Sequence, residues 1–235
     1  MRDVLGDTDI ALAYAVQQEL ARQREARGAV AVGRKIGLTS PAVQRQMGVD
    51  QPDFGVLFAD MDVSGRAEIP SGRLLQPRVE AEIAFVLAED LADGELDAAQ
   101  VRAAVDHAVP ALEIVDSRIA GWDIAITDTV ADNASSGLFV LADRRFSLDE
   151  FEPRNTTMRL YADGELVSEG DGTACLGDPL AALAWLARTA RSLGDPLRAG
   201  QIVLSGALGP LVPASPGMRF RAEIDPLGEV TATFS

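Results

Sequence analysis

One cysteine and one histidine in 235 residues leave the chain unable to close an internal disulfide or to assemble the usual Cys/His zinc site. Any metal it binds must be held by oxygen. Basic residues are also scarce: 21 Lys and Arg are dispersed among 36 Asp and Glu, for a formal charge of -15. Nucleic-acid binding is carried by clustered Lys and Arg, so this balance argues against it. No apolar run approaches the roughly 20 residues that cross a bilayer, which argues against a membrane span. The opening MRDVLGDTDIALAYAV has no basic region followed by an apolar stretch, so a cytoplasmic location is expected. The G-x-S-x-G elbow, the P-loop and the dinucleotide fingerprint are all absent. There is no repeat, low-complexity tract or linker, so one domain over 1–235, with a short N-terminal helical segment to about residue 28, is the expected division.

The acidity raises a question of its own. An anionic substrate meets a repulsive surface here unless a metal or a placed cation reverses the local field. A cation site is therefore worth seeking among the secondary-structure elements. Residues 9–27, with apolar Ile10, Leu12, Ala13, Val16 and Leu20, read as an amphipathic helix closing near Gly28. Ala29–Ile36 reads as a short buried strand, PAVQRQM after Ser40 as a turn or two of helix, and GVDQPDFGVLF as a loop. A strand is expected over Val79–Ala88, a helix around 97–109, a strand over Ala111–Val115, and irregular polar chain from Ala120 to Gly137. Asp178 and Pro179 open a strong helix presenting Leu180, Leu183, Leu186, Ala187 and Ala190, stopped by Gly194. Further strands are expected at 157–162, 165–169, 201–205, 219–225 and 229–234. The sum is a strand-rich α+β chain.

Glu80 and Glu82 in PRVEAEIAFVL lie two apart, which on a strand puts both carboxylates on one face. The surrounding alternation reads as buried on both sides, and two buried ionised carboxylates each cost several kcal/mol unless a metal or an arginine compensates. Spacing alone leaves open an edge strand with solvated glutamates, or a pair bridged by Arg78. Glu113 is a third acid inside the apolar strand ALEIV, with Asp116 as an alternate or supporting acid paired with Arg118. Three carboxylates without thiol or imidazole suit Mg²⁺ or Mn²⁺. Lys35, before a glycine at a strand end, reads as either a snorkelling lysine or a contact for an anionic ligand. Asp53 reads as either a turn former or a general base. The glycine-rich LSGALGP, with Ser205, Gly206, Ala207 and Leu208, can bring backbone N–H groups to an oxyanion. DTVADNASSG, which includes Ser135, is a long polar candidate binding loop. His107 reads as a helix-surface or core histidine and Cys175 as a small apolar filler.

Several strings carry a resemblance. GRKIGLTS, GVDQPDFG, QPRVEAEIAFVL, EIVDSRI, DTVADNASSG, ACLGDPLAALAWLA and SGALGPLVP, in this order, resemble the 2-keto-4-pentenoate hydratases of the fumarylacetoacetate hydrolase superfamily. The match runs from about residue 10 to 217, although family members carry a longer N-terminal helical segment before the part that matches residues 9–20. The resemblance implies a fumarylacetoacetate-hydrolase-like fold, a mixed β-sheet roll with flanking helices. It also implies Glu80, Glu82 and Glu113 as ligands of a Mg²⁺ or Mn²⁺ ion, with Lys35 and Asp53 in substrate contact and acid/base work.

The activity implied is hydration of 2-hydroxypenta-2,4-dienoate to 4-hydroxy-2-oxopentanoate, in meta-cleavage degradation of aromatic compounds. The sibling 4-oxalocrotonate decarboxylases share the fold and ligands; SGALGP and the aspartate of DQPDFG resemble the hydratase form. An acylpyruvate-type C–C hydrolase and an accessory subunit are the remaining readings. The resemblance further implies a small 2-hydroxydienoate or 2-oxo acid as substrate, a homo-oligomer (pentamer or decamer), and association with a pathway enzyme.

Overall fold

The computed structural model describes residues 2–6, 8–40, 44 and 51–235. Of the short helix expected after Ser40, only Gln44 falls among the described residues. After a single turn, α1 (Arg2–Leu5), the Asp9 carboxylate accepts the Leu12 N–H and starts α2 (Ile10–Ala26). An N-cap acid satisfies one of the amides that a helix start leaves open. The buried face of α2 is only partly the one that the apolar spacing predicts. Ala13 is buried and Ile10 and Val16 pack against the core, but Leu12 and Leu20 are exposed, and Tyr14 and Gln17 complete the buried face.

The main sheet has seven strands, arranged β2-β1-β8-β3-β4-β5 with β9 also on β3. Its strands are β1 (Ala31–Gly37), β2 (Asp53–Phe58), β3 (Arg78–Leu87), β4 (Val105–Val115), β5 (Ser136–Leu141), β8 (Ile202–Leu204) and β9 (Val212–Pro213). The β1–β8 pair is parallel and the other pairs antiparallel, so the sheet is mixed. A second, four-stranded sheet runs β11-β10-β6-β7, from β6 (Thr157–Ala162), β7 (Glu165–Asp171), β10 (Arg219–Asp225) and β11 (Gly228–Thr233). Its buried side, with Met158, Leu160, Phe220, Ala222, Ile224 and Val230, joins the common core. Among the described residues, further helices are α3 (Ala98–Ala103), α4 (Ile126–Ala131) and α5 (Pro179–Ser192). In α5 the apolar face expected from Leu180, Leu183, Leu186, Ala187 and Ala190 is buried, and Asp178 caps it by accepting the Leu180 N–H. The result is the expected α+β arrangement. No helix among the described residues is long and apolar enough to cross a membrane.

Three expectations need correction. Asp53–Phe58 is a fully buried strand rather than loop. The turn formers lie before it, and Phe54, Val56, Leu57 and Phe58 are residues that suit a pleated buried surface. The helix expected to run to 109 stops at Ala103, and the chain enters β4 at Val105. Helix-favouring Ala98–Ala103 behind an Asp97 cap gives way there to valines, and pairing of the whole of β4 with β3 outweighs local propensity. His107 is therefore a strand residue, bonded to Asp106 through its ring. The stretch 120–137 contains the buried helix α4, started by Asp128 accepting the Ala125 N–H.

The outer strand β2 would leave backbone groups open along one edge. Side chains close it. Val56 donates its N–H to Asn133 Oδ1 at 2.7 Å and accepts from Asn133 Nδ2 at 2.8 Å, a strand-like pair made by one amide. Phe54 is held in the same way by α2. Asn133→Ala should therefore cost about 2–3 kcal/mol through two orphaned backbone groups. Asn155→Ala, at an exposed position, should stay within about 0.5 kcal/mol. Urea midpoints of the two variants check this; equal midpoints would remove Asn133 from the edge.

Candidate active site

Antiparallel pairing sets Glu80 directly opposite Glu113, and Glu82 lies one pleat further along β3 opposite Ala111. One oxygen from each of the three carboxylates falls within 4.8 Å of the others. Glu82 is 0% and Glu113 1% exposed, with Glu80 half-buried. Neither the edge-strand reading nor the Arg78 bridge describes them: β3 is flanked on both sides, and Arg78 lies over the Trp122 ring at 4.4 Å.

Ionised carboxylates have only acceptors, so their approach demands a proton or a cation between them. Glu82 Oε2 accepts the Gly206 N–H at 2.8 Å, but Glu82 Oε1 and Glu113 Oε2 are buried and receive no hydrogen bond. Burial, then the charges of Glu113 and Glu80, push the Glu82 carboxyl well above its ordinary range. Burial and Glu113 raise Glu80 to about 7. Burial also raises Glu113, against the pull of Lys35. Three converging carboxylates, two of them buried with unsatisfied oxygens, fit a hard divalent cation.

Lys35 on β1 is 3% exposed, and its Nζ lies 3.1 Å from Glu113 Oε1. Burial alone would lower its pKa; the carboxylates of Glu113, Asp53, Glu80 and Glu82 outweigh it and keep the ammonium charged. It is thus no snorkelling lysine. Asp53 opens β2 with 1% exposure. Its Oδ2 accepts from Thr129 Oγ1 at 3.1 Å, and its Oδ1 has no hydrogen-bond partner. Burial raises its pKa, while Lys35 and then Thr129 oppose the shift. A Cβ on Gly37 would stand 2.3 Å from Asp53 Oδ1 and 3.4 Å from Lys35 Nζ. The glycine after KI is therefore what lets the Asp53 carboxylate and the Lys35 ammonium lie side by side.

Two loops border this cluster. Gly206, at φ +105°, turns its N–H onto Glu82, while its C=O accepts from the Cys175 thiol at 2.9 Å. Ser205 is 0% exposed with an unpartnered hydroxyl. The Leu208 amide is committed to Ala81 O and its side chain is in the core, and Ala207 is partly exposed. Ser135 ends a run of three left-handed residues, Asn133, Ala134 and Ser135, at φ 55, 50 and 54°. Such strain persists only where surroundings impose it, and it is concentrated at functional sites. The Ser135 hydroxyl is buried and unpartnered.

Asp116 is not an acid of the cluster, and Arg118 reaches only its backbone C=O, at 2.6 Å, not its carboxylate. Its carboxylate accepts the Leu75 and Gln76 amides, and Arg118 pairs with Asp132 at 2.7 Å. His107 lies six residues along β4 from Glu113, about 20 Å at the strand rise, so no imidazole reaches the site. Cys175 is a buried free thiol as expected, and burial raises its pKa. Sequence reasoning held Thr129 only as part of the polar segment DTVADNASSG and missed Gln17. The cue to Gln17 was a polar residue on the buried side of a helix, which periodicity alone does not separate from a solvated one.

The fumarylacetoacetate hydrolase C-terminal family model matches residues 34–235. The chain is 53% identical over its whole length, and over 88% of the relative, to the TodF product hydratase of Pseudomonas putida. It is 52% identical, covering 90% of the relative, to the 2-keto-4-pentenoate hydratase of Burkholderia vietnamiensis. Among solved structures, 4-oxalocrotonate decarboxylase from Pseudomonas putida G7 complexed with magnesium and adipate superposes with a TM-score of 0.95 at 35% identity, over 100% of this chain and 89% of that one. With its acidic pocket, mixed sheet and full-length identity taken together, the chain belongs to the fumarylacetoacetate hydrolase superfamily, on the branch of the 2-keto-4-pentenoate hydratases.

Proposed function

We propose that this chain is a divalent-metal-dependent hydro-lyase that adds water to 2-hydroxypenta-2,4-dienoate, giving 4-hydroxy-2-oxopentanoate. The observation that carries the reading is the buried triad Glu80, Glu82 and Glu113 facing Lys35 and Asp53. Full-length identity of 51–53% to relatives named as hydratases supports it over the decarboxylase, whose structure is 35% identical. A cytoplasmic homo-oligomer built from one catalytic domain is part of the same proposal.

In this reading Glu80, Glu82 and Glu113 hold Mg²⁺ or Mn²⁺. The ion supplies a Lewis acid that draws charge onto the substrate's C2 oxygen and carboxylate. The chain's own groups do the rest. Lys35 keeps its charge in a pocket that excludes water, where it orients the substrate carboxylate and opposes the negative charge that develops at C2. Asp53 carries the protons: the enol O–H proton leaves, C5 gains one, the oxygen of water bonds to C4 as its proton departs, and C3 takes a proton. The sum adds one water. The Ser135 and Ser205 hydroxyls and the loop at Gly206 and Ala207 border the substrate, whereas Leu208, expected with them, is a core residue whose amide is bonded to Ala81 O. A C–C hydrolase that relies on histidine as base has no residue to use here, since His107 lies at the far end of β4.

The linkage has a definite sign. Each carboxyl of the triad has a folded-state pKa above its ordinary value, so without a cation the folded state holds more protons than the unfolded one. Its stability falls as pH rises through the range between the two. A cation must displace those protons, and its stabilisation therefore grows with pH. The Tm gain on adding Mn²⁺ to chelator-stripped protein should increase from about pH 6 to about pH 8, reaching about 2.7 kcal/mol of stabilisation at a hundredfold excess over Kd. Glu82→Gln should abolish the gain while leaving the metal-free Tm no lower than the parent's. A pH-independent gain, or one retained in that variant, would move the ion elsewhere.

Turnover is tested with freshly generated 2-hydroxypenta-2,4-dienoate, following dienol absorbance and carbon dioxide together. Metal-dependent loss of dienol without carbon dioxide is expected; carbon dioxide from 4-oxalocrotonate with the dienol untouched would make the chain a decarboxylase. Asp53→Asn should lower kcat about a hundredfold or more while keeping the Mn²⁺-induced Tm gain. Full turnover in that variant would take Asp53 out of the scheme.

A further inference from the structure

Phe54, the residue after Asp53, has both of its edge-facing backbone groups held by α2. Its N–H donates to the Tyr14 hydroxyl at 3.3 Å, and its C=O accepts from Gln17 Nε2 at 2.8 Å. The same Gln17 amide donates to Val130 O at 2.7 Å. Val130 follows Thr129, whose hydroxyl donates to Asp53 Oδ2. A ring of contacts closes: Gln17 spans the residue after Asp53 and the residue after Thr129, and Thr129 meets Asp53. Gln17 is 2% and Thr129 5% exposed.

A primary amide has two donors, and here both are spent on carbonyls flanking the Asp53 pair. Seating a helix on a sheet edge needs only apolar surface, and a glutamine in that interface carries a desolvation cost that an aliphatic residue avoids. Its hydrogen bonds offset that cost and add what aliphatic packing lacks, a fixed register between β2 and α4. Asp53 itself needs such a fix. One oxygen is tethered to Thr129 and the other is free, facing the pocket it shares with Lys35.

We infer that Gln17 and Thr129 are positioning residues for Asp53: Gln17 locks the strand that carries the carboxylate against the helix that carries the threonine, and Thr129 aims the carboxylate into the pocket. The N-terminal helix α2 is by this inference part of the reaction machinery rather than a cover for the sheet edge. The inference rests on the reading of Asp53 as proton carrier.

The test uses the metal-loaded full chain and 2-hydroxypenta-2,4-dienoate. Gln17→Met keeps the length without the donors, Thr129→Val removes the hydroxyl at constant shape, and Thr129→Ser restores it. Both of the first two should lower kcat about tenfold or more, since small misplacements of a catalytic group carry large penalties. KM should stay within about twofold of the parent and Thr129→Ser within about threefold in kcat. In an Asp53→Asn background, Thr129→Val should cost nothing further, because its effect passes through Asp53. The inference is overturned if Thr129→Val keeps the parent kcat, if its loss is as large without Asp53 as with it, or if KM rises at unchanged kcat. Should Gln17→Met fail to fold, shown by loss of the Mn²⁺-induced Tm gain, the threonine pair decides on the same criteria. An Asp53→Asn enzyme with full turnover would overturn the reading of Asp53 and this inference together, whereas an impaired one beside an unaffected Thr129→Val would overturn the inference alone.

Discussion

Mutual repulsion among buried carboxylates is the constraint around which the pocket is organised. Glu80, Glu82, Glu113 and Asp53 converge on one ammonium, that of Lys35. In a low-dielectric interior this excess of acid is tolerable only if protons or a cation neutralise it. The fold concentrates the charge rather than dispersing it: Glu80 and Glu113 face each other across two central strands, and Glu82 follows on the same face. No packing advantage comes from such an arrangement. The main-chain support is sparse as well, with the Gly206 N–H the one backbone donor to Glu82. What the arrangement yields is strong local demand for positive charge inside a protein of net charge -15, and a cation that met it would let an acidic protein receive an anionic ligand.

The triad was legible in the sequence because period-two spacing and an apolar context are both local properties. Glu80 and Glu82 two apart, and Glu113 within ALEIV, required only the alternation of a strand. Lys35 and Asp53 were legible as residues but not as a pair, since they meet through β1–β2 pairing and through the space left at Gly37. The errors share a cause. The strand at Asp53–Phe58, the early end of α3 and the helix in 126–131 are all places where tertiary pairing or full burial overrode a local cue. Turn formers before Asp53 masked a buried strand, and an alanine-rich start extended a helix on paper into what is β4. The Asp116–Arg118 pair failed for the same reason: Asp132, sixteen residues from Asp116, holds the arginine, while Asp116 ties down the chain at Leu75 and Gln76.

The left-handed run at Asn133–Ser135 joins these levels. Its backbone conformation is costly for residues with a Cβ, yet it lets Asn133 complete the edge of β2, turns the Ser136 hydroxyl back onto Asn133 O, and leaves the Ser135 hydroxyl buried and unpartnered. Nothing in DTVADNASSG announces this, because asparagine tolerates the conformation while alanine and serine are driven into it by their neighbours. Strain here closes a sheet edge and leaves a buried hydroxyl without a partner at once.

A shared fold and a shared metal-ligand set do not by themselves choose a reaction. Hydration and decarboxylation of related 2-oxo acids both need negative charge stabilised at the C2 oxygen, and Lys35 together with a cation held by the acidic triad would serve either. They part at proton delivery: hydration needs a group that can move protons among C5, C3 and a water at C4, and decarboxylation needs none at C4. On the proposed assignment, the side of the site that separates them is the one carrying Asp53. That side is built from β2, α4 and α2 rather than from the central strands that carry the triad. In this chain the acidic triad lies on central strands and Asp53 on an outer one, so on the proposed assignment the proton-carrying side could change without disturbing the charge-stabilising centre.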